Sequence, residues 1–326
     1  MVLDNLPRDL APSADSTPPG CQTPVLLLIQ RRPELTARVL SAIREVRPAH
    51  LLVAADGPEE DARCQETRRL VLEGIDWPCS VLTRFSRERL GCRKAISQAL
   101  DWGFAVHERL IVIEDDCLPE PSFFRFCTDL LDRYQDDDKV MQICGSNLSG
   151  HAAQDGSSYY ASRFSTIWGW ASWRRAWKNH DATMAGWPAS RADPRWKASC
   201  KFRGEVAWRK KLYDSAHSGG IDAWSIAWEF AKQSRGGVGL IPSVNLVSNL
   251  GWGQDSTHTH DPHDPRAFMK TDPVCFPLQH PGTLMPGDRA DSAYFNRYCR
   301  PPPLLRRIRR KIWRGLRRPM ACAKSP

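Results

Sequence analysis

Glu114-Asp115-Asp116 is the place in the chain where neighbouring side chains most plainly imply chemistry. Three adjacent carboxylates repel one another unless a cation joins them. Carboxylates select hard cations, Mg²⁺ or Mn²⁺, which are usually held by one or two protein groups and completed by substrate phosphates. An ion bound so is a Lewis acid for a departing diphosphate. The plainer reading is a set of solvated acids at a strand end. Gln30-Arg31-Arg32, Asp56 and the basic stretch Arg89-Leu90-Gly91-Cys92-Arg93-Lys94 are the other candidates for holding a nucleotide. Asp56 is placed to meet a ribose hydroxyl. The amides and cations of residues 89–94 open a helix, where a phosphate can sit, although a solvated helix start reads equally well. No glycine-rich turn follows the first strand and no Walker loop exists, so charge on a diphosphate has to be neutralised elsewhere.

These residues stand at the ends of short apolar runs. Residues 24–29, 51–55, 80–85, 110–113 and 140–144 read as strands, the first buried on both faces and the second also buried. Helical spacing fills the intervals at 34–46, 60–73, 91–107 and 122–134. Strands alternating with helices predict βαβ units and a mostly parallel sheet. In such sheets ligands bind beyond the carboxyl ends of the strands, where Gln30, Asp56 and the acidic triplet fall. After residue 150 tryptophan becomes dense and the alternation fades.

Composition narrows the classes. The net charge is +9, and nine Lys or Arg with no acid lie in residues 301–326. Setting those nine aside from 46 Lys and Arg leaves 37, equal to the 37 Asp and Glu. A neutral body does not support nucleic acid as a partner. The 11 cysteines form no Cys-x-x-Cys pair, which fits a reducing compartment, and a cytoplasmic location is expected. Residues 1–23 read as a flexible leader without signal-peptide features, and no run of 18 apolar residues exists.

For inverting group transfer, one carboxylate must take the acceptor's proton. Asp222, in Gly220-Ile221-Asp222-Ala223-Trp224, is the candidate, since burial among tryptophans would make it a stronger base; Glu229 is the second choice. A helix N-cap is the competing role for Asp222. Most tryptophans read as core, with Trp170 and Trp224 as candidates to stack on an acceptor sugar.

Taken together, residues 24–33, Ala54-Ala55-Asp56-Gly57-Pro58, Leu90-Gly91-Cys92-Arg93, the stretch 113–119 with Ser122-Phe123-Phe124, residues 168–177 and Asn245-Leu246-Val247-Ser248-Asn249 carry a resemblance. They resemble a family of bacterial nucleotide-diphospho-sugar transferases, often labelled haemolytic-protein-like. The Glu-Asp-Asp stretch with its Pro and Phe-Phe is also similar to N-acetylglucosaminyltransferase I. The resemblance covers about residues 24–262. It implies a GT-A fold, a nucleotide-sugar donor, UDP-linked by preference, and metal binding by Asp116, with His258 completing the site; a polar loop is the other reading of His258. The chain departs from the family at Gln30-Arg31, where Phe-Asn is usual, and at Arg89, where Asn is usual.

The expected organisation is a GT-A domain over 24–260, with a nucleotide-sugar half (24–150) and an acceptor half (151–260). An irregular wrap (261–303) and a basic amphipathic helix (304–318) follow. Leu304, Ile308, Ile312 and Leu316 give that helix an apolar stripe suited to an anionic membrane surface, with docking on a partner as the alternative. The function expected is transfer of a sugar to a glycan or glycolipid. A catalytically inactive nucleotide-sugar-binding or scaffold protein is the alternative.

Overall fold

The computed structural model describes residues 21–253, 261 and 264–300. Residues 1–20, His258 and the helix expected over 304–318 lie outside the described residues. The first half alternates as the apolar runs require: β1 (Val25–Ile29), α1 (Pro33–Val46), β2 (His50–Ala55), α2 (Ala62–Gly74), β3 (Ser80–Phe85), α3 (Cys92–Val106) and β4 (Arg109–Glu114). Then come a short β5 (Cys117–Pro119), α4 (Ser122–Arg133) and β6 (Val140–Cys144). The Trp-rich segment holds β7 (Tyr159–Ser162), β8 (Trp170–Trp173), α5 (Arg174–Trp177), α6 (Trp187–Ala192), α7 (Pro194–Ser199), α8 (Glu205–His217), α9 (Trp224–Arg235), β9 (Val238–Pro242) and β10 (Val247–Asn249). α10 (Asp288–Tyr294) runs into a π-helical turn at Phe295–Cys299.

Eight strands form one sheet in the order β3-β2-β1-β4-β8-β6-β9-β7. The β3-β2-β1-β4 run is parallel throughout, while β8 lies antiparallel to both β4 and β6. This is an α/β, Rossmann-like, mostly parallel sheet flanked by helices. β5 and β10 pair separately and antiparallel, tying the loop after β4 to residues 247–249.

Period-two alternation sorts the strands' side chains onto two cores. Val25, Leu27, Ile29, Leu51 and Val53 pack against Val39, Leu40 and Ile43 of α1 and the phenylalanines of α4. Leu26, Leu28, Leu52 and Ala54 face the other way, against Leu100 and Phe104 of α3 and Trp170, Trp177, Trp224 and Trp228. Burial on both faces explains why these strands read as unbroken apolar runs. Each fully buried Leu or Val contributes about 1.5–3 kcal/mol relative to exposure.

Candidate active site

The chain order reverses between β1 and β4, which are sheet neighbours although α1, β2, α2, β3 and α3 intervene in sequence. A switch of that kind opens a crevice at the carboxyl ends of the two strands. Gln30-Arg31-Arg32 leaves β1 there and Glu114-Asp115-Asp116 leaves β4. Arg32 Nη1 joins them, donating to Asp115 Oδ1 at 3.1 Å and to Asp116 Oδ2 at 2.6 Å. The Gln30 amide donates to Asp115 Oδ2 at 3.0 Å. Asn249 Nδ2 donates to Asp116 Oδ1 at 3.4 Å, and the Leu250 amide donates to the Asp116 carbonyl at 2.7 Å.

A cleft of about 650 Å³ opens over these groups. Gln30, Arg32, Asp56, Arg89, the acidic triplet, Asp222 and Trp224 all line it. Its size falls within the range of small-ligand sites. Burial, then the charges of Asp116 and Asp115, pushes the Glu114 carboxyl up to about 8. Burial and the Asp116 charge push Asp115 up to about 6, with Arg32 opposing. Glu114 Oε1 has no hydrogen-bond partner although it is buried.

The lining carries Arg32, Arg84 and Arg89 against Asp56, Glu114, Asp115, Asp116 and Asp222. Even with Glu114 neutral, the described lining has an acid in excess. A diphosphate entering it therefore needs a further positive charge. Among the described residues, no group of three or more His, Cys, Asp or Glu is placed to hold a metal ion. Mg²⁺ and Mn²⁺, however, typically need only one or two carboxylates when phosphates supply the rest. The acid excess, the orphaned Glu114 oxygen and the Asp115–Asp116 pair fit such an ion.

Several expected roles are altered by the geometry. Asp56 lines the cleft, but its carboxylate accepts the amides of Gly57 and Leu90 at 2.8 Å and of Gly91 at 3.2 Å. Asp222 accepts the amides of Cys92 at 3.0 Å and Arg93 at 2.9 Å. The amides of residues 90–93 expected to hold a phosphate are thus taken by two carboxylates. Asp222 is exposed at the cleft wall, not buried, and the helix start it caps is α3, 130 residues away, not α9. Gly91 has φ of +83°, and a Cβ there would lie 2.7 Å from Asp222 Oδ2, so glycine is required for this cap.

Three basic candidates do not line the cleft. Arg31 pairs with Asp61 at 3.1 Å. The Arg93 guanidinium grips the carbonyls of Ala216, at 2.8 Å, and Ile221. Lys94 is exposed outside the lining. Trp170 is wholly buried and stacked on Trp224 at 5.4 Å, with Trp177 and Trp228 around it. It presents no face to a sugar. Trp224 reaches the wall but is 1% exposed.

Glu229 lies apart, in a second cavity of about 240 Å³ that shares Ile167, Trp168 and Ser225 with the first. Burial would raise its carboxyl, but Lys232 at 2.9 Å and Arg209 at 3.3 Å hold it below the usual range. A carboxylate so paired is a weak proton acceptor.

Arg84, Ser86, Trp168 and Asn249 are lining residues that sequence reasoning missed. Arg84 and Ser86 stand at the carboxyl end of β3, where the strand-end rule already points. Arg68 supports them from below, donating to the carbonyls of Asp56 at 3.2 Å and Ser86 at 2.7 Å.

No family model matches the chain, and no curated protein matches it in sequence. Among solved structures, a UDP-glucose pyrophosphorylase complexed with UDP-glucose aligns at TM-score 0.31 and 10% identity, over 48% of this chain and 79% of that one. Mouse xyloside xylosyltransferase 1, apo form, aligns at TM-score 0.31 and 10% identity, over 65% and 82%. An apo UDP-glucose pyrophosphorylase gives 0.34 and 9%, over 67% and 90%. Likeness at this level bears no functional argument, which rests on the cleft.

Proposed function

We propose that the protein is a nucleotide-sugar-dependent glycosyltransferase, with a nucleoside-diphosphate sugar, UDP-linked by preference, as donor and a glycan or glycolipid as acceptor. The observation that carries this reading is the acidic triplet at the β1–β4 switch point, bonded to Arg32 in the lining of a cleft of about 650 Å³. The sequence resemblance given above points the same way.

Asp115 and Asp116 would hold Mn²⁺ or Mg²⁺, with Glu114 beside them. That ion would supply Lewis acidity to the diphosphate leaving group. Arg32, Arg84 and Arg89 add charge along the same wall. Asp222 serves as the base: its carboxylate takes the acceptor hydroxyl's proton while that oxygen bonds to the sugar's anomeric carbon. The bond from that carbon to the diphosphate breaks, and the nucleoside diphosphate leaves with the electron pair. Attack from the face opposite the diphosphate inverts the anomeric centre.

The test is release of nucleoside diphosphate from a panel of UDP- and GDP-sugars, with Mn²⁺ and then with EDTA. Asp116→Ala is expected to lose both release and metal-dependent donor binding in calorimetry while remaining folded. Release that is equal in both buffers, or unchanged in Asp116→Ala, refutes the proposal. The closed hydrogen-bonding of Asp115 and Asp116 favours one second reading, a donor-binding protein without turnover. It is distinguished by nucleotide affinity in the absence of any release.

A further inference from the structure

Asp115 and Asp116 already have a cation. All four of their carboxylate oxygens have donors: Arg32 on Asp115 Oδ1 and Asp116 Oδ2, the Gln30 amide on Asp115 Oδ2, and Asn249 on Asp116 Oδ1. The chain shuts one further side, because a Cβ on Gly251 would overlap the Asp116 carboxylate. An incoming ion at Asp116 Oδ2 therefore meets the Arg32 guanidinium on the same oxygen, and the two positive charges compete for it.

Arg32 is built to be displaced without disturbing the fold. Its backbone is fixed where α1 begins: Pro33 follows it, and the Thr36 amide donates to its carbonyl at 2.8 Å. Its side chain, 21% exposed, is the movable part. A guanidinium leaving two buried acids needs a partner of equal strength, and a phosphate accepts its fork bidentately.

Resting on the reading of the cleft as a nucleotide-sugar site, we infer that Arg32 is a gate that couples divalent-cation binding to nucleoside-diphosphate binding. In the free protein Arg32 neutralises the acids and keeps the ion out. When a diphosphate arrives, Arg32 exchanges carboxylate for phosphate, and the acids become available to the ion. The cation and the nucleotide then bind with positive coupling, each tightening the other by the same factor. A factor of about ten or more is expected, within the usual range of such couplings.

The experiment is a titration of the folded full chain with Mn²⁺, following the free-ion signal by electron paramagnetic resonance, with and without UDP. Wild type is expected to bind Mn²⁺ weakly alone and about tenfold or more tightly with UDP. Arg32→Gln is expected to bind Mn²⁺ without UDP more tightly than wild type does, and to gain less from UDP, since only the phosphate–ion contact remains to couple them. Arg32→Lys keeps the charge but loses the fork, and is expected to fall between them. If Arg32→Gln is too unstable to titrate, the same order between wild type and Arg32→Lys decides. Arg32 variants that bind Mn²⁺ alone no better than wild type overturn the gate, whether or not UDP binds. UDP that fails to bind any of the proteins overturns the donor reading instead, while the Mn²⁺ affinities of the free variants still report on the gate.

Discussion

Asp222 holds the amides of Cys92 and Arg93 with the same carboxylate that faces the cleft. Two variants separate its duties. Asp222→Asn keeps one of the two cap bonds, so thermal stability should fall less than in Asp222→Ala. Loss of the base should cut nucleoside diphosphate release about 10²–10⁴-fold, with donor affinity intact. Asp222→Ala should lose the cap as well, about 1 kcal/mol by chemical denaturation. Normal turnover in Asp222→Asn would leave the residue as a cap alone. The sequence showed that Asp222 suits a helix start, but assigned it to the helix that follows it. Local reading finds the residue type; it cannot find a partner 130 positions away. The same limit applies to Arg93, which looks like a phosphate ligand in its own neighbourhood and instead grips the loop before α9.

At the scale of elements, β1, β2, β4 and β6 were legible because burial on both faces leaves unbroken apolar runs, and β3 by its place in the alternation with helices. β7, β8 and β9 were not. β7 and β8 are tryptophans, tyrosines and small side chains whose burial comes from pairing with distant strands, and β9 is a short apolar run broken by Gly239 and Pro242. The acids at the end of β4 were legible for the same reason as the strand itself. Arg84 was hidden because β3 is an edge strand whose side chains stay largely exposed. Just beyond α5, His180 stacks on Trp177 at 4.1 Å, and burial pushes it down to about 4 against the pull of Asp101. A depressed histidine stays neutral in the fold while the unfolded chain takes up a proton. Its contribution is therefore fully present above about pH 6.5 and is lost as pH falls toward 4. The loss over that window is up to about 3 kcal/mol. His180→Phe, which keeps the ring stack, should flatten the stability profile from pH 7 to 4.5 in thermal unfolding. An unaltered slope would place the acid sensitivity elsewhere.

At the scale of the whole molecule, the excess charge lies in residues 301–326, while the body is balanced. No helix among the described residues is long and apolar enough to cross a membrane. The proposal for the tail is peripheral attachment, and co-sedimentation with phosphatidylglycerol vesicles tests it. The full chain should pellet at low salt and release as salt rises, since surface charge attraction is screened. A chain ending at Arg300 should stay in solution and keep its nucleotide binding. Equal behaviour of the two would remove the tail from membrane attachment.

The position of β8 has a bearing on how the protein is made. β8 is wedged between β4 and β6, although both of those strands precede it in the chain. During synthesis β1 to β6 emerge first, yet β4 and β6 have no bond across the gap until Trp170–Trp173 follows. A chain stopped near residue 150 would leave one edge of β4 bare and β6 unpaired on both sides, the kind of surface that pairs with other chains. The segments before and after residue 150 therefore share one sheet and are not separate pieces. They are sewn together by one strand.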